Sequence, residues 1–207
     1  MEESTSLNII YLPDEATRNK AIELAAKVSS KLPVEFILGQ GTIPHITIYQ
    51  AMFPNKNIEK VKQIIKEITG KTHSFEIEMG PFWINAVRGF VWWNCLKTDQ
   101  LSEIHWNFIR GINSLREGLI PDSLKAYRIE GEKDKMEIEN YGSLFAGERY
   151  TPHLTLTALK DPEDEQKSYK ILGKEEESLF TVNKILLGRL GPYGTVTEII
   201  EEFPLAS

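Results

Sequence analysis

Two short stretches in opposite halves of this 207-residue chain open alike: Pro44-His45-Ile46-Thr47-Ile48 and Pro152-His153-Leu154-Thr155-Leu156. In both, apolar residues alternate with polar ones, the period of a half-buried strand. Strand side chains point to alternate faces, so each copy offers an imidazole and a hydroxyl on one face, about 7 Å apart along the strand. Ile46 and Ile48 point the other way, as do Leu154 and Leu156, and anchor each strand on a core. The same order of elements is expected around each copy: motif strand, helix, then more strand. That order indicates an internal duplication. If the halves face each other about a pseudo-twofold axis, two imidazoles and two hydroxyls meet in one cleft.

A single Pro-His-x-Thr-x strand would ordinarily be structural, its histidine satisfied by a hydrogen bond. Here two of only 4 histidines sit in matching settings, which favours a shared chemical role. Imidazole titrates near neutral pH, so one neutral ring can accept a proton while a charged twin donates one. Hydroxyls can donate hydrogen bonds to phosphate oxygens as charge builds in a transition state. The set suits in-line displacement at phosphorus, which needs a base on one side and an acid on the other. Neither motif contains a carboxylate, so the pair makes a poor metal site, and neither metal nor other cofactor is expected.

Paired His-x-Thr-x motifs, one in each half of a chain of this length, resemble the two-histidine (2H) phosphoesterase superfamily. Its members include the bacterial RNA 2′,3′-cyclic phosphodiesterases, also called 2′-5′ RNA ligases. The resemblance takes in the opening strand and helix, both motifs, the run from Phe75 to Leu96 and the closing hairpin that ends at Phe203. It implies an α+β fold of two pseudo-twofold-related lobes, each an antiparallel sheet with flanking helices, around a central cleft. The whole of 1–207 would be one bilobal domain. His45 and His153 would be the acid–base pair, with Thr47 and Thr155 binding phosphate. The implied activity is metal-independent hydrolysis of a 2′,3′-cyclic phosphate on an RNA end or a nucleotide, with 2′-5′ joining of RNA ends as its reverse. A rival reading is a catalytically silent module of the same fold that binds nucleotides or RNA ends. Which histidine is acid and which is base stays open.

Four further residues are candidate substrate contacts. Arg149 and Tyr150 stand just before the second motif, at the lip of the cleft, where they could pair with phosphate and stack on a base. Their plain reading is a surface charge and an edge aromatic. Trp92 and Trp93 point to opposite faces of one strand, so one belongs to the core and the other could floor the cleft. His73 and His105 read as structural, and Gly39-Gln40-Gly41 as a turn, because no strand-loop-helix pattern surrounds it. Cys95, the single cysteine, lies in an apolar run and reads as a buried strand residue.

Composition narrows the partners. Lys and Arg total 24 against 30 Asp and Glu, a net charge of −6, which disfavours binding along duplex nucleic acid. RNA ends or small cyclic nucleotides remain as ligands, since a pocket can be locally positive on an acidic surface. The polar start Met1-Glu2-Glu3-Ser4 and the lack of a long apolar run fit neither a signal peptide nor a membrane span. A cytoplasmic monomer is expected.

Along the chain, Ser6–Leu12 reads as a strand, and Pro13-Asp14 opens a helix whose apolar face runs from Ala21 to Leu32. Strands follow at Val34–Leu38 and His45–Gln50, then a helix after Pro54-Asn55 that ends at Gly70. Further strands are expected at Phe75–Met79, Phe82–Ala86 and Phe90–Leu96, with Thr98 capping a third helix. The charged stretch Pro121–Tyr150 shows no steady period and is expected to be an insertion or lid. After the second motif strand, Asp161-Pro162 starts a helix that Gly173 stops. A hairpin closes the chain, with Phe180–Leu190 and Thr195–Phe203 joined through Gly191-Pro192-Tyr193-Gly194.

Overall fold

Pro13 and Asp14 end the first strand, β1 (Ser4–Tyr11), and start α1 (Glu15–Ser29). The Asp14 carboxylate caps that helix by accepting the Thr17 N–H at 2.8 Å, and Ala21, Leu24, Ala25 and Val28 form its buried face. The computed structural model describes residues 3–85, 88–121, 124, 131–174 and 177–206. After α1 come β2 (Ile46–Pro54), α2 (Ile58–Thr69), β3 (Phe75–Ile84) and β4 (Phe90–Cys95). Thr98 accepts the Leu101 N–H and caps α3 (Asp99–Ile112). The remaining elements are α4 (Glu132–Tyr141), β5 (His153–Ala158), α5 (Glu165–Leu172), β6 (Ser178–Val182), β7 (Lys184–Leu190) and β8 (Val196–Pro204).

The eight strands form one antiparallel sheet in the order β6-β3-β4-β5-β2-β1-β7-β8. It consists of two four-stranded halves, β6-β3-β4-β5 and β2-β1-β7-β8, that share a single pairing, Ile46 with Leu154. Only Asn183 separates β6 from β7, yet the two strands lie near opposite ends of that order. The sheet must therefore curl to bring those ends together. Helices cover the outer face, with α1 against β5 and α3 against β2, so each half's helix backs the other half's motif strand. Ile46, Ile48, Leu154 and Leu156 are buried in this shared core. The antiparallel α+β architecture is the one expected from the sequence and from the family resemblance.

Three local expectations change. No strand forms over Val34–Leu38. The segment makes an isolated bridge, Val34 to Leu159, and then turns through Gly39 and Gly41, both at positive φ, as glycine permits. Phe75–Met79 and Phe82–Ala86 are one strand rather than two. Its register shifts between Met79 and Phe82, where Pro81 has no N–H to give the ladder; Ala86 lies outside the described residues. The segment Phe180–Leu190 divides at Asn183, β6 pairing with β3 and β7 with β1 and β8, so only β7–β8 is the closing hairpin. Within 121–150, α4 supplies a regular helix, and 122–123 and 125–130 lie outside the described residues. Among the described residues no helix is long and apolar enough to cross a membrane.

Candidate active site

The pairing of Ile46 with Leu154 sets the geometry of the two motifs. In an antiparallel pair, one step toward the N-terminus on one strand faces one step toward the C-terminus on the other. His45 therefore sits opposite Thr155, and Thr47 opposite His153, all four on the face turned away from Ile46 and Leu154. Side chains directly opposite each other lie roughly 5 Å apart at Cβ. The apolar anchors Ile46 and Leu154 are fully buried, whereas Thr47, His153 and Thr155 are half-buried and His45 is 8% exposed.

The same local device orients both rings. His45 Nδ1 lies 2.7 Å from the Ile43 carbonyl oxygen, and His153 Nδ1 lies 2.6 Å from that of Thr151. A carbonyl only accepts, so each Nδ1 carries the proton and each neutral ring keeps its lone pair on Nε2. In both copies the acceptor stands two residues back, across the motif proline. The geometry is thus built into the repeat itself.

Beyond that device the two rings have unlike neighbours. Asn8, buried on β1, places its Nδ2 3.3 Å from His45 Nε2 and donates to Thr47 Oγ1 at 3.0 Å. His153 instead stacks on the Trp92 indole, with centroids 3.6 Å apart and planes 13° from parallel. Burial lowers the pKa of His45, against the pull of the Ile43 and Gly194 backbone toward the charged form. His153 is pushed down to about 4, chiefly by burial and further by the charge of His45, while the Thr151 carbonyl works the other way. His153 therefore lies within electrostatic reach of His45.

An open cleft of about 720 Å³ lies over this face, lined by Thr47, His153 and Thr155 and walled on one side by Phe90, Trp92, Leu144 and Phe145. A smaller recess of about 200 Å³ adjoins it; His45 lines this recess, and Thr155, Tyr193 and Gly194 border both. Thr47, His153 and Thr155 thus line the cleft and His45 the adjoining recess, with Thr155 bordering both. Among the described residues no group of three His, Cys, Asp or Glu side chains is placed to hold a metal ion.

The four candidate substrate contacts separate. Trp92 lines the cleft, whereas Trp93, on the opposite face of the same strand, is fully buried in the core and does not reach it. Alternation along β4 allows only one of the two to face the groove. Arg149 is turned away to the Asp134 carboxylate of α4 at 2.6 Å, and Arg88 meets that carboxylate's other oxygen at 2.7 Å. Tyr150 borders the cleft but is only 3% exposed; His105 stacks on its ring at 3.9 Å, and its hydroxyl donates to the Thr47 carbonyl. It supports the first motif rather than offering a free face to a base. Sequence reasoning missed Asn8, whose one signal was a lone amide inside the apolar strand Leu7-Asn8-Ile9-Ile10. It also missed Phe145 and took Tyr193 for a plain turn residue; Tyr193 in fact lines the cleft at a positive φ of 59°.

A family model described as the 2′-5′ RNA ligase superfamily matches residues 37–191, a span that includes both motifs. The chain belongs to that superfamily, whose members are phosphoesterases and ligases acting on phosphodiester bonds. No curated protein sequence matches it. Among solved structures, TT0787 of Thermus thermophilus is 15% identical with a TM-score of 0.64, over 97% of this chain and 97% of that one. LigT of E. coli complexed with 3′-AMP is 11% identical with a TM-score of 0.62, over 99% of this chain and all of that one. The phosphate complex of LigT is 12% identical with a TM-score of 0.60, over 99% of both chains.

Proposed function

We propose that the protein is a phosphodiesterase that opens a 2′,3′-cyclic phosphate on an RNA end or a nucleotide by two-histidine acid–base catalysis. The observation that carries this reading is the single pairing of Ile46 with Leu154, which sets each imidazole opposite the other motif's hydroxyl. One neutral histidine takes a proton from water at Nε2, and the water oxygen bonds to phosphorus. The bond from phosphorus to the 3′ oxygen breaks, and the second histidine, charged, gives that oxygen its proton. A 2′-phosphate results, and the proton balance between the rings is restored through solvent. Thr47 and Thr155 hold the non-bridging oxygens as charge builds on them.

Joining RNA ends is the same displacement run backward, with a 5′-hydroxyl where water stood. The reaction uses no metal, in keeping with a motif pair that lacks carboxylates. Solved complexes of LigT with phosphate, 3′-AMP and ATP support a small anionic nucleotide as ligand. The aromatic wall of Phe90, Trp92 and Phe145 suits a base beside that phosphate.

The test is turnover of 2′,3′-cyclic nucleotides by the parent, His45→Ala and His153→Ala. Each substitution should lower kcat by about 100-fold or more, and EDTA should change nothing. Productive chemistry needs one ring charged and the other neutral, and both rings are held below the ordinary histidine value. The kcat/KM profile should therefore be bell-shaped with an optimum below about pH 6.5, its two limbs belonging to the pair. Tight nucleotide binding with no turnover by the parent would favour the silent binding module instead.

A further inference from the structure

We infer that Asn8 is a positioning residue that sets the protonation state of His45 and the direction of the Thr47 hydroxyl through one carboxamide. The inference rests on the catalytic reading of those two residues, and its main readout does not depend on turnover.

The geometry is specific. The Nδ1 proton of His45 is committed to the Ile43 carbonyl at 2.7 Å, so a neutral ring can only accept at Nε2. The amide nitrogen of Asn8 stands 3.3 Å from that Nε2 and 3.0 Å from Thr47 Oγ1. An amide nitrogen carries two protons, so the two contacts can coexist. Both of its hydrogens then serve the first motif. Donation into the lone pair of Nε2 favours the neutral ring over the imidazolium. Donation to Thr47 Oγ1 occupies an acceptor position and leaves the hydroxyl proton directed elsewhere, free to reach an anionic oxygen in the cleft.

The other end of the same side chain is different. Asn8 is fully buried, and among the described residues its Oδ1 has no hydrogen-bond partner. An unpaired buried carbonyl weakens a fold, and a leucine of similar size would avoid that loss. Retaining an amide at a fold's expense is what a working site does. Protonating His45 at Nε2 would set two donors face to face; the Gly194 backbone, which favours the charged ring, can take that proton, and the amide turned over presents Oδ1. Its two orientations therefore match the two protonation states of the ring. Among the described residues no equivalent acts on the second motif, where His153 meets the Trp92 ring.

Among the described residues two titratable groups stand near His45. His153 lies across the pairing, and Tyr193 borders the same recess with its hydroxyl given to Glu35 at 3.0 Å.

NMR titration of the histidine rings in the parent, Asn8→Leu and Asn8→Asp tests this. In Asn8→Leu the midpoint of His45 should rise by about half to one pH unit, the equivalent of one lost hydrogen bond. Asn8→Asp should raise it further, because a carboxylate pairs with the charged ring. Asn8→Leu should fold at least as stably as the parent while kcat/KM drops about tenfold and one limb of its pH profile moves to higher pH. If Asn8→Leu does not fold, Asn8→Asp carries the test alone. A His45 midpoint unchanged in every folded variant would overturn the inference whatever the activity. A raised midpoint in the variants of a parent that turns over no substrate would uphold the coupling and sink the catalytic reading.

Discussion

Acid should loosen this fold through a histidine that never touches the cleft. His105, on α3, is 1% exposed, and both of its ring nitrogens are used. Nδ1–H donates to the Ile48 carbonyl at 2.6 Å, and Nε2 accepts the Gly147 N–H at 2.9 Å. Ile48 closes the first motif and Gly147 leads toward the second, so this ring ties the two together from below. A proton on Nε2 would confront the Gly147 N–H with a second donor. Burial, aided by the charge of Lys97 and opposed by the Ile48 carbonyl, holds the ring's pKa down to about 4. In the unfolded chain it returns to about 6.5. Above that value both states are neutral and the contribution is fully present. As pH falls from there toward 4, the unfolded chain binds a proton that the folded protein refuses, and about 3 kcal/mol of stability is lost. Urea unfolding of the parent and of His105→Gln between pH 7 and 4 measures this share, because His45, His153 and the carboxylates titrate in both proteins. The variant should be less stable by about 1–3 kcal/mol at pH 7 for its lost hydrogen bonds. That gap should then shrink by about 3 kcal/mol as the pH reaches 4. Curves that run parallel across the range would refute the reasoning.

Asp134→Ala removes the carboxylate that Arg88 and Arg149 share, where Asp134 and Arg88 side chains are 5% and 8% exposed. It should cost about 3 kcal/mol in thermal unfolding, as loss of one partner of a buried pair does, and speed proteolysis within 121–150. Thr155→Val deletes one hydroxyl of the cleft while keeping its shape. It should lower kcat on a cyclic nucleotide about 100-fold with little change in melting temperature, and an unchanged kcat would remove Thr155 from the phosphate grip.

What the sequence disclosed follows from what a short stretch of backbone can dictate. Alternation alone put His45 and Thr47 on one face and Ile46 and Ile48 on the other. Helix caps at Asp14 and Thr98 were legible because capping acts over three residues. The errors came where distant chain decides. Val34–Leu38 has strand-like residues but finds only one bridging partner, Leu159. Nothing local in Phe180–Leu190 announces that Asn183 hands the chain from one half of the sheet to the other. Arg149 stood in the right place in sequence, yet Asp134, fifteen residues earlier on an aperiodic segment, claims its charge. Trp92 and Trp93 could be told apart only once β5 was known to lie beside β4.

The same division explains the site. The orientation of each ring comes from a carbonyl two residues away and is therefore duplicated with the motif. The second neighbour of each ring comes from a different strand, β1 for His45 and β4 for His153, and the two differ, one an amide and the other an indole. Acid–base chemistry at one phosphorus atom needs the two histidines in different protonation states at the same moment. Two rings in identical surroundings would share the proton equally and spend much of their time in unproductive arrangements. An amide that donates to one ring and an apolar plane that desolvates the other make the pair unequal before substrate arrives. On the proposed reading, the repeat supplies the reactive groups and the unlike flanking strands decide which of them holds the proton.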